Sequence, residues 1–167
     1  MSLLAKLFRT RTSRIAAVAL IILTWDQLTK AAVLRNIPYG AERLAVPGFL
    51  KLVHWQNTGA AWSLFTGNNT ILAIVAVAAL VILFLGRHQF DSRSWLGQIA
   101  LGMIFGGITG NLIDRIHVGH VIDFIYVYVI EFPAFNIADS GICVGVVLMF
   151  LLSWRNDKQA KSAQQPN

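Results

Sequence analysis

Four stretches of the chain are apolar for long enough to cross a bilayer, a task that takes about 20 residues of helix. They run from about Ile15 to Leu34, Ile71 to Leu85, Trp95 to Ile113 and Ile137 to Trp154. The second is short, and Asn68 to Thr70 can lengthen it toward the interface. The third contains "GMIFGGITGN", whose small residues let neighbouring helices approach closely. The first is longer than a signal-peptide core and has no A-x-A site after it. With three more spans to follow, it reads as a retained helix. In the loop of about residues 35–70, "GFLKLVHWQN" partly alternates and "GAAWSLF" can pair with it, which predicts a small sheet there. In the loop of about residues 114–136, "VIDFIYVYVIEF" is apolar and aromatic, the character of a segment at headgroup level. The polar tail after Trp154 has the composition of a disordered chain. With no internal repeat, residues 1–167 read as one mainly α membrane domain: a four-helix bundle with a small extracytoplasmic sheet in the first outer loop.

Charge strengthens this reading and orients it. Only 13% of the residues are charged, about half of what a soluble domain carries. Lys6, Arg9, Arg11 and Arg14 precede the first span, Arg87 and Arg93 lie between the second and third, and Arg155, Lys158 and Lys161 follow the fourth. Four spans put all three groups on one side, which the positive-inside rule makes cytoplasmic. Both termini are then cytoplasmic and the two longer loops face outward. Arg35, Arg43 and Lys51 in the first outer loop oppose the bias without reversing it. A net charge of +6 gathered at span ends excludes the basic face of a nucleic-acid binder. Cys143 is the only cysteine, so no internal disulfide forms and a packing role is expected.

The polar residues near the spans share one depth. Asp26 lies about 18 Å into the first span at 1.5 Å per residue, in its outer half. Lys30 follows at i+4, the favourable order for an ion pair, and the two can simply neutralise each other. Asn111 and Asp114 stand at the outer end of the third span, Asn136 and Asp139 at that of the fourth. Asn57 and Asp123 lie in loops that begin or end near this level. Asp114 opposes the helix dipole at a C-terminus and needs a cation or hydrogen bonds beside it. Asn136 and Asp139 have the spacing of a capping box with Phe135 as staple. Asp123, between Ile122 and Phe124, has no such local reason to exist.

Asp114, His117, His120 and Asp123 form D-x2-H-x2-H-x2-D. That spacing fits no closed zinc pattern, and Gly119 indicates a turn. His54, His117 and His120 therefore read as interfacial histidines, with no metal or cofactor expected. There is no G-x-S-x-G elbow and no phosphate-binding loop. What remains is a pair of carboxylates, Asp123 and Asp139, 16 residues apart. Two carboxyls brought together where water is scarce cannot both ionise, so they share a proton. One then takes a proton from water while the other polarises a carbonyl, which is aspartic-protease chemistry. A small proton-coupled transporter is the alternative from another class. It predicts ionisable groups along a path across the bilayer, whereas the inner halves of these spans are almost free of them. A scaffold without chemistry predicts that Asp123→Asn and Asp139→Asn are harmless.

"TWDQLTK", "NTGAAWSLF", "GGITGNLIDR", "HVIDF" and "FPAFNIADS" together resemble, in order, the signature blocks of the bacterial lipoprotein signal peptidases, or signal peptidase II, over about residues 24–145. The resemblance implies a four-span inner-membrane aspartic endopeptidase. Its substrates are prolipoproteins carrying a diacylglyceryl group, cut before the lipidated cysteine, and its site takes globomycin-type inhibitors. By position in the blocks, Asp123 and Asp139 match the catalytic pair. Asp26, Lys30, Asn57, Asn111, Arg115 and Asn136 match the supporting polar set, and Asp114 lies among them. Trp62 stands where the family commonly has Phe, a change of bulk and not of chemistry. The resemblance implies a site near the outer membrane–water boundary, with membrane lipid around it.

Overall fold

In a computed structural model of the chain, residues 10–59, 67–87 and 94–163 are described. The elements run α1 (Arg11–Asn36), β1 (Glu42–Val46), β2 (Leu50–Asn57), α2 (Asn69–Gly86), α3 (Trp95–His117), β3 (Val121–Tyr126), a 3₁₀ turn (Tyr128–Ile130) and α4 (Ile137–Ala163). All four helices are long and apolar enough to span a bilayer. The fold is thus the mainly helical four-helix bundle with a small sheet that the hydrophobic pattern predicts.

α1 shows the inverted amphipathy of a membrane helix. Its buried residues are Asp26, Lys30 and Val33, spaced on one face. Leu20, Ile21, Trp25, Leu28 and Leu34 are exposed, as side chains in hydrocarbon would be. α3 is the central helix and the most buried, whereas α2 has no buried residue. Glycine brings the helices together. A Cβ at Gly102 would lie 2.6 Å from Val18 Cβ, and one at Gly106 would lie 2.5 Å from the Ala19 carbonyl oxygen and 2.9 Å from Ile22 Cβ. Gly145 of α4 meets the Ala100 carbonyl oxygen of α3 in the same way, at 2.7 Å. Backbone cannot yield as a side-chain tip can. Gly106→Ala is therefore expected to destabilise the bundle by about 1–3 kcal/mol, read as a lower Tm in detergent. At the opposite end from the polar site, Arg14 lies 5.3 Å above the Trp95 ring and joins the starts of α1 and α3.

Two expectations are corrected. The chain after Trp154 continues as helix to Ala163. Its residues include straight-chain helix formers, Asp157 and Lys161 are one turn apart, and Lys158 Nζ sits 4.2 Å over the Trp154 ring. The sheet is not confined to the first loop. Its order is β1-β2-β3, all antiparallel, so the third strand comes from "VIDFIY" in the second loop. Four consecutive residues of β3, Val121 to Phe124, are buried. A strand covered on both faces shows no alternation by which to recognise it. Most of "GAAWSLF", Trp62 included, falls outside the described residues. β2 departs from strict alternation too. A register shift between Leu52 and Trp55 leaves neighbouring Val53 and His54 both buried. The His54 Nδ1 atom then meets the Ile37 carbonyl at 2.9 Å, tying the sheet to the end of α1.

An apolar cluster seats the sheet on the helices. Val33 of α1 and Ile37, just past its end, pack against Phe124 of β3, with Leu52, Ile125 and Ile137 around them. After the 3₁₀ turn the chain comes back along β3. Phe135 N donates to the Ile125 carbonyl at 3.0 Å, and Ile125 N to the Phe135 carbonyl at 2.9 Å. That bridge delivers the first residues of α4 alongside Asp123.

Candidate active site

The site is assembled at the N-terminus of α4. Asn136 is the N-cap and Asp139 the third helical residue. Asp139 N donates to Asn136 Oδ1 at 2.9 Å and Asn136 N donates to Asp139 Oδ2 at 3.2 Å, a reciprocal capping box. Asp139 Oδ1 accepts from Asn111 Nδ2 at 2.7 Å. The carboxylate thus stands at the positive end of a helix with donors on both oxygens, and it is only partly buried.

Asp123 reaches the same place from β3. It is 3% exposed. Asn136 Nδ2 donates to its Oδ1 at 2.8 Å and Asn57 Nδ2 to its Oδ2 at 2.9 Å. Asn136 therefore touches both carboxylates, one with its side chain and one with its backbone. Burial, and then the nearby Asp139 charge, push the Asp123 carboxyl up to about 7, against the opposing hydrogen bonds of Asn57 and Asn136. A carboxyl in that range carries a proton at neutral pH often enough to donate it.

Behind the pair lies a buried ionic cluster. Lys30 Nζ meets Asp26 Oδ2 at 2.8 Å and Asp114 Oδ2 at 2.7 Å, and it donates to Asn111 Oδ1 at 3.0 Å. Asp26 also accepts from Ala138 N of α4 at 2.9 Å, and Asp114 from Ile122 N at 3.2 Å. Gln27, which the sequence reading passed over, has its Nε2 3.0 Å from Asp114 Oδ1, 3.2 Å from Asp26 Oδ2 and 3.3 Å from the Gly110 carbonyl. An amide inside an apolar span was the signal available for it. Gly110 makes the cluster possible, because a Cβ there would lie 2.5 Å from Asp26 Oδ2. Arg115 Nη2 donates to the Gly59 carbonyl at 3.2 Å, while Gly59 N donates to Asn57 Oδ1 at 2.9 Å. These two bonds connect Arg115 to the amide that holds Asp123.

Every residue singled out in the sequence for this site therefore joins one network: Asp26, Lys30, Asn57, Asn111, Asp114, Arg115, Asp123, Asn136 and Asp139. His117 and Cys143 stand outside it. His117 and Cys143 are exposed on their helices, and His54 is held by Ile37 and by the edge of Tyr39 at 5.7 Å. Asp114, the carboxylate that would begin a His–Asp metal set, is committed to Lys30. Among the described residues, no three His, Cys, Asp or Glu side chains are placed to hold a metal ion together. Among the described residues, the buried charged side chains all lie in this one network. Toward the far end of the bundle the buried polar residue of α3 is an uncharged amide, Gln98.

The chain is similar to known proteins over most of its length. A family profile described as Signal peptidase (SPase) II matches residues 18–155. A lipoprotein signal peptidase of Lactobacillus gasseri is 36% identical over 134 residues, 80% of this chain and 87% of its own. One from Enterococcus faecalis is 34% identical over 148 residues, 88% and 91% of the two chains. A solved structure described as a bacterial membrane enzyme, obtained by the in meso method at 2.3 Å resolution, is similar with a TM-score of 0.82. It is 30% identical, and the match covers 92% of this chain and 94% of that one. A second such bacterial membrane enzyme, at 1.9 Å resolution, has a TM-score of 0.75 at 31% identity, over 83% and 90% of the chains.

Proposed function

The chain belongs to the signal peptidase II family of membrane proteases, and from that premise we propose that it is an aspartic endopeptidase with Asp123 and Asp139 as its catalytic pair. Its substrates are prolipoproteins carrying a diacylglyceryl group, and it frees the signal peptide by cutting before the lipidated cysteine. The observation that carries the reading is Asn136, which bonds Asp123 through its side-chain amide and Asp139 through its backbone. Two acids held by one residue, in a place poor in water, share a proton.

The chemistry follows from the asymmetry of the pair. Asp139, at a helix N-terminus and more open, is the ionised base that takes a proton from water. Asp123, enclosed in β3, carries the shared proton and polarises the scissile carbonyl. The water oxygen bonds to the carbonyl carbon. As the C–N bond breaks, the proton returns to the leaving amine, and acid and amine products separate. Asp26, Lys30, Asn57, Asn111, Asp114, Arg115 and Asn136 support the pair or the substrate. The single membrane domain lies in the bacterial inner membrane. Arg14, Arg87, Arg155, Lys158 and Lys161 mark its cytoplasmic side, which leaves both termini inside and the site near the outer face. There the substrate's acyl chains stay in lipid and water reaches the bond, and globomycin-type inhibitors compete for the same place. A proton-coupled transporter needs ionisable groups along the whole bilayer, and the buried ones here occupy a single level.

A reconstituted assay with lipidated and unlipidated precursors tests this. Cleavage of the lipidated precursor alone, unaffected by EDTA, is expected. Above pH of about 7 the Asp123 proton is lost, so kcat/KM should fall about tenfold per pH unit. Stability moves the same way. The folded-state carboxyl lies above its unfolded value of 3.8, so its contribution is full below that value and is lost as pH rises through about 7. Equal cleavage of both precursors, or a rate that climbs steadily to pH 9, would count against the proposal.

A further inference from the structure

Lys30 meets neither aspartate of the pair, yet its contacts decide what the pair meets. An ammonium has three hydrogens. Here they have three acceptors: Asp26 Oδ2, Asp114 Oδ2 and Asn111 Oδ1, at 2.8, 2.7 and 3.0 Å. The Asn111 oxygen takes a second donor, Asn136 Nδ2, at 3.1 Å. The other end of the same amide donates to Asp139 Oδ1 at 2.7 Å. Rotating the Asn111 amide by half a turn would put its NH2 against the ammonium and its carbonyl against a carboxylate, so both ends oppose it. Of the two donors to the Asn111 oxygen the ammonium is the stronger, since a hydrogen bond from an ionised group is worth about twice a neutral one. Asn136 Nδ2 is a weak substitute. Its two hydrogens are already divided among Asn111 Oδ1, Asp123 Oδ1 and the Ile122 carbonyl.

We infer that Lys30 is a positioning residue for the reaction: it fixes the Asn111 amide with its NH2 toward Asp139, and so keeps the negative charge of the pair on Asp139. The inference rests on the reading of Asp123 and Asp139 as the catalytic pair. Lys30 lies on α1, Asn111 on α3 and Asp139 on α4, so three spans meet in this one orientation. The charged groups that face the amide are Lys30 and Asp26 from α1, Asp114 and Arg115 from α3, Asp123 from β3 and Asp139 itself. Among the described residues only Lys30 presents a cation to the amide oxygen. Asp26 and Asp114 have the complementary task of holding the ammonium in place, which accounts for two carboxylates around one lysine. The cluster is thereby more than a neutral clasp between helices.

Lys30→Met, nearly equal in shape and without charge, tests this in the full-length enzyme. With the Asn111 oxygen left to Asn136 Nδ2, the restraint on the amide is weakened and Asp139 holds its Asn111 donor for less of the time. The expected result is a fall in kcat of about 10²-fold with KM within about threefold of the parent. A purely structural lysine would reduce the amount of folded enzyme and leave the kcat of the folded fraction in place. Should Lys30→Met fail to fold because Asp26 and Asp114 are left facing each other, the uncharged triple variant Asp26→Asn/Lys30→Met/Asp114→Asn removes that repulsion and carries the same expectation. A folded variant of either kind with parental kcat overturns the inference. The outcome is separate from the reading it rests on, because that reading is tested by other variants: it fails if Asp123→Asn or Asp139→Asn still turns over.

Discussion

Asp139→Asn is expected to lower kcat/KM by about 10⁴-fold or more while the protein still inserts and folds. An amide cannot take a proton from water at any accessible pH. Its oxygen can still accept from Asn111 or from the Asn136 backbone, but its NH2 then faces the other donor. The start of α4 also loses a negative charge from its favourable end. Together these changes cost about 1 kcal/mol of stability, seen as a small drop in Tm. Asp123→Asn should stop turnover as completely, with the opposite effect on the fold at alkaline pH. Above about 7 the parent holds a carboxylate in a nearly closed pocket beside a second one. An amide of the same shape removes that repulsion, which outweighs the NH2 it turns toward Asn57 or Asn136, both donors, so Tm at pH 8 is expected to stay level or rise. Turnover and Tm measured on both variants separate chemistry from folding. Near-normal cleavage by either variant would end the assignment of the pair.

The second large effect belongs to a residue without a titrating group. Asn136 is fully buried, and Asn136→Ala removes three things at once. The N-cap oxygen that accepts from Asp139 N is lost, which costs about 1 kcal/mol. Asp123 Oδ1 is left without its Asn136 amide donor. Asn111 Oδ1 keeps only Lys30. The two carboxylates are then no longer held in one geometry, and kcat is expected to fall about 10²–10³-fold, the effect of deleting one preorganised donor. Asn136→Asp keeps the cap but replaces the donor to Asp123 with a third carboxyl. Its turnover should be as low, and its Tm no higher than that of Asn136→Ala, because the kept cap is offset by a third carboxyl buried beside Asp123. If Asn136→Asp restores turnover instead, the bond from Asn136 to Asp123 is not part of the mechanism.

Much of this was legible in the letters. A helix that must cross hydrocarbon is apolar over its whole length, so the four spans could be read directly. A charged or amide side chain in such a helix is costly, so Asp26, Lys30, Asn111 and Asp139 drew attention by their surroundings alone. Gln27 carried the same signal more faintly. Short-range geometry was legible as well, since the spacing of Asn136 and Asp139 is that of a capping box. The third strand was not, because a strand buried on both faces has no period to show. The helical end after Trp154 was hidden by its polarity, which in water is compatible with either helix or coil.

The sequence by itself determined how many times the chain crosses the membrane, which end of the bundle carries the polar groups, and which side chains cannot be there by accident. The tertiary structure alone decided their partners. Lys30 has a carboxylate one turn away on its own helix, but its second, Asp114, comes from α3. Asp123 reaches Asn136 only because Phe135 pairs with Ile125 and turns the chain back along β3. Hydrophobicity and propensity are properties of a residue and its near neighbours, so they can be read in one dimension. A hydrogen bond or an ion pair depends on distance, and the distances that matter here are set by three helices touching through glycine.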